Sequence, residues 1–173
     1  MKTMRVLVAG LVFAGLALAQ GASPAGKSVA AAASFEKLKS LAGEWEGNLS
    51  KGGQQIPATT SFRVVSDGSA LMNVLGAGTP HEMVTMFHTD KADLLATHYC
   101  AAHNQPRFRL VPSPESNVVI FEFKDATNLA SPTSTHMVGL KITFVDANHH
   151  TEDWTSLENG KKGTSRFEFH RKA

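Results

Sequence analysis

From Gly43 onward the chain alternates apolar and polar residues with a period of two, the pattern of strands that bury one face. Trp45, Gly47 and Leu49 fall on one side, with Glu44, Glu46 and Asn48 on the other. Phe62 and Val64 continue the alternation, Ala70 to Leu75 forms a further run, and Glu82 to His88 and Leu94 to Cys100 flank a turn at Thr89 to Asp93. Arg107 to Val111 and Val118 to Lys124 flank Pro112-Ser113-Pro114, and a longer polar connection, Ala126 to Thr135, leads to Val138, Leu140, Ile142 and Phe144 on one face. His150 to Leu157 and Thr164 to His170 complete the series, with Phe167 and Phe169 sharing a face. Gly52-Gly53, Asp67-Gly68, Asn148 and Asn159-Gly160 punctuate it, and Gly-Gly, Asp-Gly and Asn-Gly pairs favour tight hairpins.

The pattern predicts about ten short strands joined as antiparallel neighbours. One short helix precedes them: Ser34 is a plausible cap, and Phe35, Leu38 and Leu41 follow at helical spacing. So small a helix cannot cover so wide a sheet. An all-β, up-and-down barrel that closes on itself is therefore expected, with a two-sheet sandwich as the alternative architecture.

The first residues have a different texture. Lys2 and Arg5 precede an apolar run from Val6 to Ala19 that ends in Ala17-Leu18-Ala19. This predicts a secretory signal over 1–19, because the run falls short of the ~20 residues of a membrane-spanning helix. Residues 20–33, rich in Ala, Gly and Ser, read as a linker that frays into helix near Val29, and 34–173 as one barrel domain. The mature chain would be periplasmic or extracellular, with no further segment able to span a membrane.

Charge then excludes a partner class. The chain has 17 Lys and Arg against 15 Asp and Glu, and loss of Lys2 and Arg5 with the leader makes the two equal. With no basic block to neutralise phosphates, nucleic-acid binding is not expected. Cys100 is the single cysteine, so the fold has no internal disulfide.

The segment from Phe35 to Gly47, Phe-Glu-Lys-Leu-Lys-Ser-Leu-Ala-Gly-Glu-Trp-Glu-Gly, resembles the opening motif of lipocalin-like (calycin) proteins. There a short helix runs into Gly-x-Trp on the first strand and the Trp plugs one end of the barrel. The mature chain as a whole resembles a family of secreted bacterial lipocalin-like domains, through His81 to His88, Thr97-His98-Tyr99-Cys100 with Asn104-Gln105-Pro106-Arg107, and Glu152-Asp153-Trp154-Thr155. That resemblance implies the barrel and supplies no activity. A more distant resemblance is to nitrobindin-type haem barrels, which carry Gly-x-Trp-x-Gly-x-Gly: Gly43, Trp45 and Gly47 match, and Leu49 stands at the third glycine. The proximal histidine of those barrels lies near the C-terminus, where His170 is the candidate, although its alternation with Phe167 and Phe169 points it outward.

Candidate chemistry concentrates in Glu82 to Cys100. A hairpin closing around Thr89 to Asp93 would place Glu82 opposite Cys100, Val84 opposite His98, Met86 opposite Ala96 and His88 opposite Leu94, all on one inner face. Glu82, His98 and Cys100 would then meet inside the barrel, with His88 toward the turn. Glu82, His98, Asn104, Gln105 and Arg107 could orient a ligand's polar head, with Met72, Met86 and Phe62 lining its apolar part. His98 and Cys100, with His88, are also candidate ligands for Zn or Cu. A Cys-His nucleophile is disfavoured, since residues two apart on a strand lie roughly 6–7 Å apart. Trp154 reads as core, sharing a face with Glu152 and Ser156, and His149-His150 reads as a solvated turn. His81 and His103 fall at strand ends, where they could rim a barrel mouth. No phosphate loop, Gly-x-Ser-x-Gly or His-Glu-x-x-His is present.

Three functions follow from this reading. The first is a binding protein that holds a hydrophobic or amphipathic small molecule without turnover. The second is a haem or metal protein, or an enzyme, built on Glu82, His98 and Cys100. The third is a structural barrel filled by its own side chains.

Overall fold

A computed structural model describes residues 24–173. The leader expected over 1–19, and residues 20–23 of the linker, lie outside the described residues. Helix α1 (Pro24–Lys39) is followed by β1 (Gly43–Lys51), β2 (Gln54–Val65), β3 (Ala70–Leu75), β4 (Met83–Asp90) and β5 (Asp93–Tyr99). Then come β6 (Gln105–Val111), β7 (Val118–Thr127), β8 (His136–Phe144), β9 (His149–Glu158) and β10 (Lys161–Arg171). Each strand pairs antiparallel with its neighbours in sequence, and β1 pairs with β10, so the described residues form a closed ten-strand meander. Closure leaves no sheet edge to cover.

The turns follow the sequence signals. Gly52-Gly53 and Asn159-Gly160 are two-residue hairpin loops with both residues at positive φ, the conformation that matches the right-handed twist of paired strands. Asp67 and Gly68 are likewise at positive φ in the β2–β3 turn.

The helix starts well ahead of Ser34. Pro24 opens it and the alanine-rich stretch to Ala33 continues it; alanine has the highest helix propensity and proline is favoured in the first turn. Ala31, Phe35 and Leu38 are buried, as is Leu41 just beyond the helix. Lys37 Nζ donates to the Ser116 carbonyl in the β6–β7 turn and lies over the Phe144 ring at the end of β8. Lys39 reaches the β2–β3 turn at Gly68. The helix therefore lies across one end of the barrel.

Trp45 seals that end from within. Its Nε1 donates to the Leu41 carbonyl at 2.8 Å, and the Arg171 guanidinium lies 4.2 Å from the ring. The two glycines that flank Trp45 in the motif have separate reasons. Gly43 has φ +132°, a region L side chains avoid, and Gly47 lies against the β10 backbone at Glu168, where a side chain has no room. Below this plug the interior is filled by Phe62, Leu71, Phe87, Leu94, Phe108, Phe121, Leu140, Ile142 and Phe169.

The β6–β7 register shifts between Arg107 and Phe108, and two further register details bear on the inner face. A β-bulge between Met137 and Gly139 brings Met137, rather than Val138, against the core. The β4–β5 hairpin closes through the two-residue loop Lys91-Ala92, with Asp90 opposite Asp93. Thr85 therefore faces His98, Phe87 faces Ala96, and the inner face of β4 is Met83, Thr85 and Phe87.

Candidate functional site

The end of the barrel away from α1 opens into a cavity of about 950 Å³. Its wall is mostly apolar, with Leu49, Ile56, Ala58, Leu75, Met83, Met137 and Phe167 contributed by six strands. The rim is polar, formed by Lys51, Thr79 and His81, whereas Glu46 and His170, opposed beside Trp45 and Arg171 at the closed end, turn their exposed side chains outward. His98 and Trp154 line the cavity as its most buried members, at 1% and 2% exposure, and so form its floor.

The floor is held by cross-strand polar contacts. His98 on β5 and Thr85 on β4 are directly opposed, and Nδ1 of the ring lies 2.9 Å from Thr85 Oγ1. On its other edge Nε2 has no hydrogen-bond partner among the described residues. Burial pushes the imidazole down from its ordinary 6.5 to about 4, so the ring is neutral at pH 7. The Trp154 ring lies 4.6 Å from it, centroid to centroid.

Behind the floor runs a second set of contacts. Trp154 Nε1 donates to Glu152 Oε2 at 2.9 Å, and Glu152 Oε1 lies 3.3 Å from His150 Nε2. All three side chains point inward from alternate positions of β9 and are buried. His150 in turn meets the edge of Trp45 at 4.4 Å, which links floor and plug. Buried polar groups persist when they are paired in this way. Asn73 makes a separate pairing, donating to Thr60 Oγ1 at 2.6 Å.

The residues singled out from the sequence are dispersed. His98 faces the interior as anticipated, together with Leu94 and Ala96. Glu82 does not: it is exposed in the β3–β4 loop, where Oε2 accepts from the Gly78 amide at 2.7 Å. Met86 and His88 lie on the outer face of β4, as does Val84, because the two-residue turn shifts the register by one. Met72 shares that outer face on β3, opposite Met86, while Phe62 is in the core.

Cys100 follows the end of β5, half-buried in the turn to β6, with the Ala102 amide 3.5 Å from its sulfur. Burial raises its thiol above the ordinary range, with the Ala102 amide acting in the opposite direction. Asn104 is buried and donates through Nδ2 to the Thr135 carbonyl at 2.8 Å, tying the β5–β6 turn to the β7–β8 connection. Gln105 is half-buried and accepts from Thr127. Arg107 is exposed on the outer face of β6 and pairs with Asp125. Glu82, His98 and Cys100 thus do not form an internal cluster. Among the described residues no group of three or more His, Cys, Asp or Glu is placed to hold a metal.

His150 corrects the reading of His149-His150 as a solvated turn. His149 is exposed and bonded to Asp146, but His150 is the second residue of β9 and is 1% exposed. The signal was the alternation His150, Glu152, Trp154, which puts a carboxyl group within reach of both an imidazole and an indole.

The sequence matches no protein-family model and no curated protein. Among solved structures, Rv2717c from M. tuberculosis superposes with a TM-score of 0.53 at 14% identity, covering 80% of this chain and 97% of that one. The likeness is one of barrel fold.

Proposed function

We propose that the chain is an exported, lipocalin-like carrier that holds a hydrophobic or amphipathic small molecule inside the barrel without turning it over. The observation that carries this reading is the cavity itself: about 950 Å³, open at one end, apolar along its wall and polar at its rim. Small-molecule sites have this size and this distribution of apolar wall and few polar groups. A barrel filled by its own side chains would leave no such space. Export is supported by the charged start, the apolar run and the small residues of 1–19.

The test is binding of a neutral apolar fluorophore, phenylnaphthylamine, together with native mass spectrometry of protein purified from its own host. The fluorophore should brighten and saturate at one per chain, and the native spectrum should carry an added small-molecule mass. Ala58 lies in the cavity wall, so Ala58→Trp should fill the space and abolish both signals. A fluorophore that does not bind the wild-type protein, or binds Ala58→Trp equally well, refutes the reading.

A further inference from the structure

The cavity floor carries information about the class of ligand, an inference that rests on the carrier reading above. His98 has one ring nitrogen committed to Thr85 and the other without a partner. An unmatched buried polar atom is costly, and a ligand atom that matches it gains what the empty protein lacks. The chemistry around it restricts what that atom can be. Among the cavity's lining residues Lys51 and His81 are at the rim, His170 turns outward beside Glu46, and the floor holds no lysine or arginine. The neighbouring indole is already hydrogen-bonded to the Glu152 carboxyl group. An anionic head brought to the floor would lose its hydration with no cation to offset it.

A hydroxyl fits where a carboxylate does not. Thr85 Oγ1 can donate to Nδ1 or accept from it, so Nε2 is respectively a donor or an acceptor. A ligand hydroxyl satisfies either arrangement, because it too donates and accepts. A carbonyl or an ether satisfies only one.

We propose that the cavity selects a neutral apolar molecule carrying a hydroxyl group, an alcohol or phenol, which reaches His98 Nε2, covered in this structure, as the side chains over the floor yield to it, with its apolar body directed to the mouth. His98 is then the specificity-determining residue, Thr85 positions its ring, and Trp154 forms the flat surface beside the head group.

The experiment is displacement of phenylnaphthylamine at pH 7 by three matched compounds: naphthol, methylnaphthalene and naphthoate. Naphthol should displace at about tenfold lower concentration than methylnaphthalene, the worth of one matched buried hydrogen bond, and naphthoate should be weaker than both. In His98→Phe the preference of naphthol over methylnaphthalene should vanish while the fluorophore still binds. Should that variant not fold, nitrogen NMR of the wild-type histidine rings decides: the His98 Nε2 resonance should shift with naphthol and stay in place with methylnaphthalene. Equal displacement by naphthol and methylnaphthalene, or tightest binding by naphthoate, overturns the hydroxyl assignment and leaves the carrier reading standing. Failure of the fluorophore to bind the wild-type protein overturns the carrier reading and this inference with it.

Discussion

Gly47→Ala should damage the barrel far more than a methyl group's size suggests. A Cβ built on Gly47 lies 1.9 Å from the Glu168 carbonyl oxygen, 2.9 Å from its carbon and 3.0 Å from Phe169 Cα. All three are backbone atoms of β10, so no side-chain rotation relieves the clash. Relief to roughly 3.5 Å, where such contacts stop repelling, needs β1 and β10 to part by about 1.5 Å. Ladder bonds stretched that far are no longer bonds. Losing two or so at about 1 kcal/mol each, with some strain retained, gives about 2–4 kcal/mol. For a domain of this size that is a fall in Tm of about 5–15 °C. Thermal melts and urea titrations measure it directly. Gly163→Ala is the control, because its nearest neighbour is Ser156 Oγ at 3.6 Å; it should stay within about 0.5 kcal/mol of wild type. A Gly47→Ala protein that melts with the wild type, or a Gly163→Ala protein that is equally damaged, would show that close approach at the β1–β10 seam is not what the glycine serves.

Three further outcomes are expected. The folded-state pKa of His98 is depressed from 6.5 to about 4, so the unfolded chain binds more protons between those values and stability rises with pH across that window. Acidification from neutral to below pH 4 should cost about 3 kcal/mol through this group, and urea titrations across that range should show His98→Phe losing that part of the slope. Arg171 donates to the Ala42 and Ser40 carbonyls at 2.8 and 3.1 Å and covers Trp45; Arg171→Ala should cost about 1–2 kcal/mol by denaturant titration, and Arg171→Lys should recover only part of it. Cys100, with its thiol raised by burial, should react with a disulfide reagent at pH 7 more slowly than free cysteine, and at the free rate in denaturant.

The barrel was legible because turn chemistry and strand alternation agree over most of the chain. Gly52-Gly53 and Asn159-Gly160 require positive φ and have it, and Trp45, Phe62, Leu140, Ile142, Phe167 and Phe169 lie inside as their spacing predicts. The face of β4 was not legible. Val84 and Met86 on its outer side are as apolar as Met83 and Phe87 on its inner side, and they extend an outer apolar strip through Met72, Val74 and Leu95. With both faces apolar, only the turn can fix the parity, and Lys91-Ala92 carries neither glycine nor asparagine to mark it. Alternation alone therefore points Met86 and His88 inward where the turn sends them outward, and Glu82 stops short of the strand. Of the candidate site, His98 was readable from its strand. Its partners were not, since Thr85 and Trp154 come from β4 and β9 and meet it only when the sheet curls.

The seam between β1 and β10 joins the first strand to the last, and these partners stand at opposite ends of the described strand series. Until residues 161–171 have been made, every earlier hairpin belongs to an open sheet with two unsatisfied borders. A chain cut short at Gly160 would keep those borders permanently and tend to self-associate, so residues 161–171 act as the clasp that removes them.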